Sequence, residues 1–231
     1  MSFFEAAIGW IAPPECAGCG AEGAPLCLPC SLAEIVPYGE RCFRCGSLSS
    51  RAKTCQTCRA GGAPNFVWVS TDYAGTAQKL IQRYKFAHQR IVAYGVAAIM
   101  AETFLAQNDD ALIKRKNYLV VAVPTASIRI RERSFDHTKL LAKFAAARLR
   151  FQTKPALARR GNAKQVGSTR AERTKQAKGS YFVRNEAAVR GRNILLIDDV
   201  ITTGATLSEA ARVLRASGAR SVDALVFAKR L

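Results

Sequence analysis

Two groups of residues in this 231-residue chain have the types and spacing to do chemistry. The first is cysteine. All eight cysteines fall in C-x-x-C pairs, Cys16/Cys19, Cys27/Cys30, Cys42/Cys45 and Cys55/Cys58, and none follows residue 58. Two thiolates three positions apart on a tight turn face one ion, and two such pairs complete the Cys₄ tetrahedron that structural zinc prefers. Gly20 and Gly46 follow two of the pairs and supply the permissive backbone such turns use. The short linkers favour sequential pairing: one zinc on Cys16, Cys19, Cys27 and Cys30, another on Cys42, Cys45, Cys55 and Cys58. An interleaved arrangement stays open. Four thiolates close the shell, so the expected role is structural, folding residues 15–60, which have few apolar side chains for a core of their own. The competing reading is four disulfides in a secreted domain, which suits C-x-x-C pairs less well and lacks an export signal in this sequence.

The second group is residues 198–206. An apolar run, ILLI at 194–197, ends in Asp198 and Asp199, and Val200, Ile201, Thr202, Thr203, Gly204, Ala205 and Thr206 lead into a helix pattern. A loop rich in Thr and Gly at a helix N-terminus offers amides, hydroxyls and a favourable dipole to a phosphate. Two carboxylates cannot serve that same phosphate. They suit hydroxyls of a sugar attached to it, or a magnesium ion bridging other phosphates.

The elements that must position these groups are readable from the pattern. Residues 66–73 read as a strand, 77–85 as a helix of a turn or two, 92–106 as a longer helix and 118–123 (YLVVAV) as a buried strand stopped by Pro124. Residues 137–149 carry a helical stripe of Leu140, Leu141, Phe144, Ala145 and Leu149. A strand over 194–197, a helix over 207–216 stopped by Gly218 and a strand over 221–228 complete the chain. Strands alternating with helices predict an α/β fold with a mostly parallel sheet covered on both faces, its ligand beyond the carboxyl ends of the strands. Gly61, Gly62 and Pro64 mark the boundary between an N-terminal zinc-binding region, 1–62, and the α/β domain, 63–231. Residues 3–12 contain Glu5, lack a basic leader and are too short to span a bilayer. They read as a short amphipathic helix ended by Pro13 and Pro14, and the chain as a cytoplasmic protein without membrane insertion.

The net charge of +18 is concentrated: residues 79–192 hold 25 basic and 7 acidic side chains, whereas residues 1–65 hold 5 of each. A segment this basic points to a polyanion partner, nucleic acid or a polyphosphorylated small molecule; the bland alternative is a solvated surface. Arg129, Arg131 and Arg133 offer guanidinium donors to a pyrophosphate or a nucleic-acid backbone, against the alternative of a basic helix start paired with Glu132. Lys85 is a weaker candidate for the same role, since a lone lysine is usually exposed. His88 and His137 are the only histidines; they lie far apart in sequence, support no His-based dyad and read as surface or capping residues. Trp68, Tyr73, Tyr84 and Phe86 interleave with basic residues and suit either base stacking or the core. Residues 154–178 are polar, with Gly161, Asn162, Gly167 and Ser168, and read as a mobile basic loop.

The stretch LLIDDVITTGAT resembles the phosphoribosyl pyrophosphate (PRPP) motif of type I phosphoribosyltransferases. That resemblance implies that Asp198 and Asp199 hold the ribose 2- and 3-hydroxyls and are the catalytic pair if chemistry is retained. It also implies that Thr202, Thr203, Gly204, Ala205 and Thr206 wrap the 5-phosphate, with Mg2+ accompanying PRPP, and that the basic loop closes over the site to exclude water. The chain further resembles the ComF family (ComFC, GntX type) over most of residues 15–230. The order is cysteine knuckles, then Tyr73…Leu80-Ile81…Tyr84-Lys85-Phe86, then V-P with Arg129-x-Arg131-x-Arg133, then the PRPP loop. Where the family commonly has R-x-R-x-R-G-F-N-Q, this chain has Ser134, Asp136 and His137 in place of Gly, Asn and Gln. Gln165-Val166-Gly167 through Arg170-Ala171-Glu172-Arg173 resembles the family's Q-x-G-L-x-R-x-E-R. The resemblance implies a PRPP-binding protein that handles single-stranded DNA during uptake in natural competence, with a DNA-translocating helicase as candidate partner. The alternative is a magnesium-dependent phosphoribosyltransferase that moves ribose 5-phosphate to an unknown acceptor. A third reading is a PRPP-sensing regulator.

Overall fold

Uninterrupted apolar runs suit strands covered on both faces, and here they form the centre of the sheet. The computed structural model describes residues 13–86, 90–160 and 179–230; the expected helix over 3–12, His88 and residues 161–178 of the expected loop lie outside the described residues. Five strands, β1 (Val67–Asp72), β2 (Leu119–Ala122), β3 (Gln152–Thr153), β6 (Asn193–Ile201) and β7 (Ser221–Lys229), all pair in parallel in the order β1-β7-β6-β2-β3. A small antiparallel pair, β4 (Leu157–Arg159) and β5 (Tyr181–Val183), stands beside the sheet. Its first strand falls within the stretch expected to be loop.

Eight α-helices occur among the described residues: α1 (Leu28–Glu34), α2 (Gln56–Ala60), α3 (Gly75–Phe86), α4 (Val92–Ala106), α5 (Asp110–Lys116), α6 (Ser127–Arg133), α7 (His137–Leu149) and α8 (Ala205–Ala216). The bounds of α4 and α7 coincide with those expected from hydrophobic periodicity. The short α5 was not expected, because its seven residues are too few to show a period. End effects hold it instead: Asp109 accepts from Leu112 N at 2.6 Å, and Lys114, Arg115 and Lys116 occupy the last turn, where the helix dipole favours cations. No helix among the described residues is long and apolar enough to cross a membrane.

The sheet divides two cores. On one face Trp68, Leu195, Ile197, Leu225 and Phe227 pack with α3, α4 and α7. On the other, Val67, Val69, Leu119, Val121, Ile194 and Leu196 pack with Ala63, with Leu207, Ala210, Ala211 and Leu214 of α8, and with Phe43 from the cysteine-rich region. That region therefore contributes to the body's core rather than hanging from it. Of the four aromatics read as stackers or core, Trp68 and Tyr84 are buried, whereas Phe86 is 69% exposed.

One buried charge ties the sheet to its flanks. Asp223 on β7, fully buried, accepts from Tyr118 Oη at 2.6 Å and from Phe66 N at 3.2 Å, with Lys116 Nζ at 3.4 Å. Removing the carboxylate strands a buried hydroxyl, an amide and an ammonium together. Asp223→Ala should cost about 3 kcal/mol of stability, read from urea unfolding monitored by circular dichroism.

Candidate functional site

The cysteines gather as sequential pairing requires: Cys16, Cys19, Cys27 and Cys30 form one group and Cys42, Cys45, Cys55 and Cys58 the other, with sulfurs in each group within 4.8 Å of one another. The two groups are built alike. In each, a C-x-x-C turn is closed by a glycine amide donating to the carbonyl of the first cysteine, Gly20 to Cys16 at 3.0 Å and Gly46 to Cys42 at 2.9 Å, with both glycines at positive φ. The second pair of each group sits at a helix start, Cys27 and Cys55 as the N-caps of α1 and α2. Sulfur separations of 3.5 Å for Cys16–Cys27, 3.8 Å for Cys19–Cys27 and 3.6 Å for Cys45–Cys55 match the edge of roughly 3.8 Å that a tetrahedron of Zn–S arms has. The eight thiols form no disulfide. Two Cys₄ groups able to bind zinc are thus in place, and with four sulfurs each they leave no position for a substrate.

The acid pair lies at the carboxyl end of β6, where an α/β sheet places its ligand. Asp199 is 5% exposed, and its Oδ2 meets Lys85 Nζ of α3 and, at 3.0 Å, His137 Nε2 at the start of α7. Both approaches bear on this one oxygen. Burial alone would raise the Asp199 carboxyl, but Lys85 and His137 outweigh it and keep it well below the usual carboxylate range. Asp198 moves the other way: burial, then the neighbouring Asp199 charge, push it up to about 8. The charge of the pair therefore settles first on Asp199, beside Lys85 and His137, and Asp198 gives up its proton less readily than an ordinary carboxyl.

Two expectations change here. His137 is 4% exposed and ion-paired with Asp199 rather than a surface residue, so a buried Asp–His contact exists where sequence distance had argued against any His-based pair. Lys85 reaches the acid pair instead of solvent, its side chain 18% exposed. A third residue, Lys229 at the end of β7, was not expected: its Nζ donates to the Thr202 carbonyl at 3.1 Å and pins the loop from below. The signal for it was weak, a lysine closing an apolar strand.

The loop itself reaches α8 through Gly204, which is the N-cap at φ 74, a left-handed conformation that favours glycine. Ala205 N donates to Thr203 Oγ1 at 3.3 Å and Ser208 N to Gly204 O at 3.0 Å, starting the helix. Thr202, Thr203, Gly204, Ala205 and Thr206 thus sit together at a helix N-terminus next to the acid pair.

The departures around α6 and α7 have local causes. Ser134, which stands where the ComF pattern has Gly, takes φ 62 as the C-cap of α6, a conformation that strains a residue with a Cβ. Asp136 caps α7, accepting from Lys139 N at 3.2 Å and from Thr138 Oγ1 at 3.0 Å. Arg129, Arg131 and Arg133 lie on α6, a basic helix immediately before α7. Helical spacing puts positions 129 and 133 one turn apart and position 131 nearly opposite them; Arg131 is exposed. A separate cleft of about 750 Å³, lined by Tyr38, Trp68, Asp109 and Lys116 among others, opens at the amino ends of β1 and β2, the wrong end of the sheet for the acid pair.

A parallel sheet, an acid pair at a strand's carboxyl end and a Thr-Gly loop capping a helix define a class, and the chain belongs to it: the phosphoribosyl transferase domain family matches residues 89–231. The resemblance to ComF proteins also holds. The chain is 27% identical over 200 residues to competence protein ComFC of Streptococcus pneumoniae, covering 85% of this chain and 84% of that protein. It is 27% identical over 211 residues to DNA utilization protein YhgH of Salmonella typhi, covering 90% and 86%. With competence protein ComFC of Bacillus subtilis it shares 31% identity over 146 residues, covering 63% and 56%.

Two outcomes test this site. Metal analysis of the purified protein should return about two zinc ions per chain, and Cys42→Ser about one, since each closed shell takes one ion. The acid pair should give stability an opposite pH sign at each carboxyl. The folded chain holds a proton on Asp198 between its ordinary value of 3.8 and about 8, so that contribution is present in acid and lost as pH rises through about 8. Asp199, held low, contributes above its ordinary value of 3.8 and loses that only in strong acid. Asp198→Asn should therefore flatten the decline in melting temperature as pH rises from 3.8 to about 8. Asp199→Asn should lower the melting temperature at neutral pH, because Lys85 loses its counter-charge and His137 its carboxylate partner; about 3 kcal/mol is the scale for breaking such a pair.

Proposed function

We propose that the chain binds PRPP at residues 198–206 and uses or senses it while handling single-stranded DNA in DNA uptake. The observation that carries the first half is the direct run from the acid pair at the end of β6 into the Gly204-capped start of α8. A 5-phosphate suits the loop amides and the Thr202, Thr203 and Thr206 hydroxyls. Sugar hydroxyls suit Asp198, whose raised carboxyl donates when protonated and accepts in either state, while Asp199 keeps Lys85 and His137 in place behind it. Mg2+ arriving with the pyrophosphate would neutralise its charge and favour release of the Asp198 proton; the ionised Asp198 is then the acid able to hold it, since Lys85 and His137 occupy Asp199. Zinc, bound to the two Cys₄ groups, would supply rigidity and no chemistry.

The second half draws on the names of the relatives and on charge. Lys139, Lys143, Arg150 and Lys154 are exposed along and just beyond α7, and Arg131 is exposed before it, a basic stripe suited to a phosphate backbone. The relatives' names, competence protein and DNA utilization protein, support work on DNA; a cytoplasmic location and a helicase as candidate partner follow from the ComF resemblance alone. Membership of the phosphoribosyl transferase family also favours a second reading, transfer of ribose 5-phosphate to an acceptor with release of pyrophosphate, in which Asp198 and Asp199 are the catalytic pair. Lys85, Arg129, Arg131 and Arg133 then serve the pyrophosphate.

Calorimetry with PRPP and Mg2+ separates a ligand loop from a plain helix cap. Asp198→Ala and Thr203→Arg should each weaken binding at least tenfold, the second by filling the phosphate's place; wild-type affinity in both would overturn the reading. For DNA, fluorescence anisotropy with a single-stranded oligonucleotide should show affinity falling steeply with salt. Replacing Arg129, Arg131 and Arg133 by Ala should lower the slope of log K against log salt by roughly 2, at about 0.7 per lost phosphate contact. An unchanged slope there, with a reduced slope in a Lys139, Lys143 and Arg150 variant, would move the contact to α7. An unchanged slope in both would remove DNA binding from this basic surface.

A further inference from the structure

The second cysteine group touches the phosphate loop through one side chain. Phe43 lies inside the Cys42–Cys45 turn, is 1% exposed and packs with Val67, Val69 and Leu207 in the core beneath α8. Its ring presses on Gly204: a Cβ built there would lie 2.5 Å from Phe43 Cε2. Glycine at 204 is thus required twice, by its φ of 74 and by the ring. The equivalent position of the first turn is Ala17, in the core on the opposite face of the sheet, so only the group beside the loop carries a large side chain there. The same region is held to the far end of α8 as well, where Arg215 donates to the carbonyls of Gly62 at 3.0 Å and Ala63 at 2.8 Å. Knuckle and helix are fastened at two places, and Phe43 is the one at the ligand end.

We infer that Phe43 is a positioning residue for the phosphate loop: its ring, fixed by the Cys42–Cys58 group, holds Gly204 and with it the amides of residues 203–206 in binding geometry. This rests on the PRPP reading for its ligand, but not for the contact. Aromatic rings are rigid and have two side-chain torsions, so a ring seated between a metal-closing turn and a glycine transmits the position of one to the other. The order of the loop follows the order of the knuckle.

A double-substitution cycle with an independent exchange measurement tests it. Hydrogen exchange of the wild-type chain, Phe43→Ala and Phe43→Leu should show amides of residues 203–207 exchanging about tenfold faster in Phe43→Ala and to a lesser degree in Phe43→Leu, with β7 amides unchanged. Phe43→Leu keeps an apolar fill and stands in if the alanine variant does not fold. PRPP affinity is then measured by calorimetry for Gly204→Ala in the otherwise wild-type chain and in the Phe43→Leu background. The strain of a positive φ is common to both backgrounds and cancels, so the clash with the ring alone remains, and Gly204→Ala should be about tenfold more damaging with Phe43 present. Additive losses in the cycle, or loop exchange unchanged in folded Phe43 variants, would overturn the inference. If wild-type chain takes up no PRPP, the ligand assignment falls, and the exchange result alone decides whether Phe43 holds the loop.

Discussion

A carboxylate buried at the end of a central strand is stable only with compensating charge, and Asp199 finds it in two helices at once. Lys85 comes from the last turn of α3 and His137 from the first residue of α7, so one oxygen joins β6 to both elements that cover this end of the sheet. Tyr84, next to Lys85, donates its hydroxyl to the His137 carbonyl at 2.6 Å and closes the same triangle through a neutral bond. Because desolvating an isolated carboxylate is so costly, the positions of α3 and α7 are conditional on this contact. The loop after β6 is then set by what remains: Lys229 on the Thr202 carbonyl from one side and Phe43 on Gly204 from the other.

The cysteine-rich region flanks that centre on both sides. Its first half reaches α3, with Thr76 donating to Glu34, and Arg83 to the Glu15 carbonyl at 2.5 Å. Its second half reaches the loop and α8. A region with too little apolar surface to fold alone thereby becomes a clamp across the two elements that bear the site, once its sulfurs are held together by an ion.

Much of this was legible in the sequence for a physical reason. The thiols and the loop carry their chemistry at short fixed spacings, which survive any uncertainty about the fold, and the α4 and α7 stripes are long enough to show a period. Lys85 and His137 were not legible as partners of Asp199, because only tertiary packing brings three such distant positions together, and charge type alone predicts exposure. Phe43 was hidden for a similar reason: a single aromatic inside a metal-binding turn looks like any other core residue until the glycine opposite it is seen. The short helix α5 rests on a cap and end charges, which periodicity does not register. Ser134, by contrast, was marked by its departure from the ComF pattern, and its positive φ shows why glycine is common there.

The sheet ends on one side at β3, a strand of two residues, Gln152 and Thr153, both exposed and lying between Arg150 and Lys154. An open sheet edge is a row of unpaired amides and carbonyls on which a second chain can template itself. Here that row is about one residue pair long and bracketed by positive charge, so two copies approaching edge to edge meet repulsion before they meet hydrogen bonds. At this edge the same basic surface that would attract a polyanion therefore also opposes the growth of a shared β-structure between neighbouring molecules.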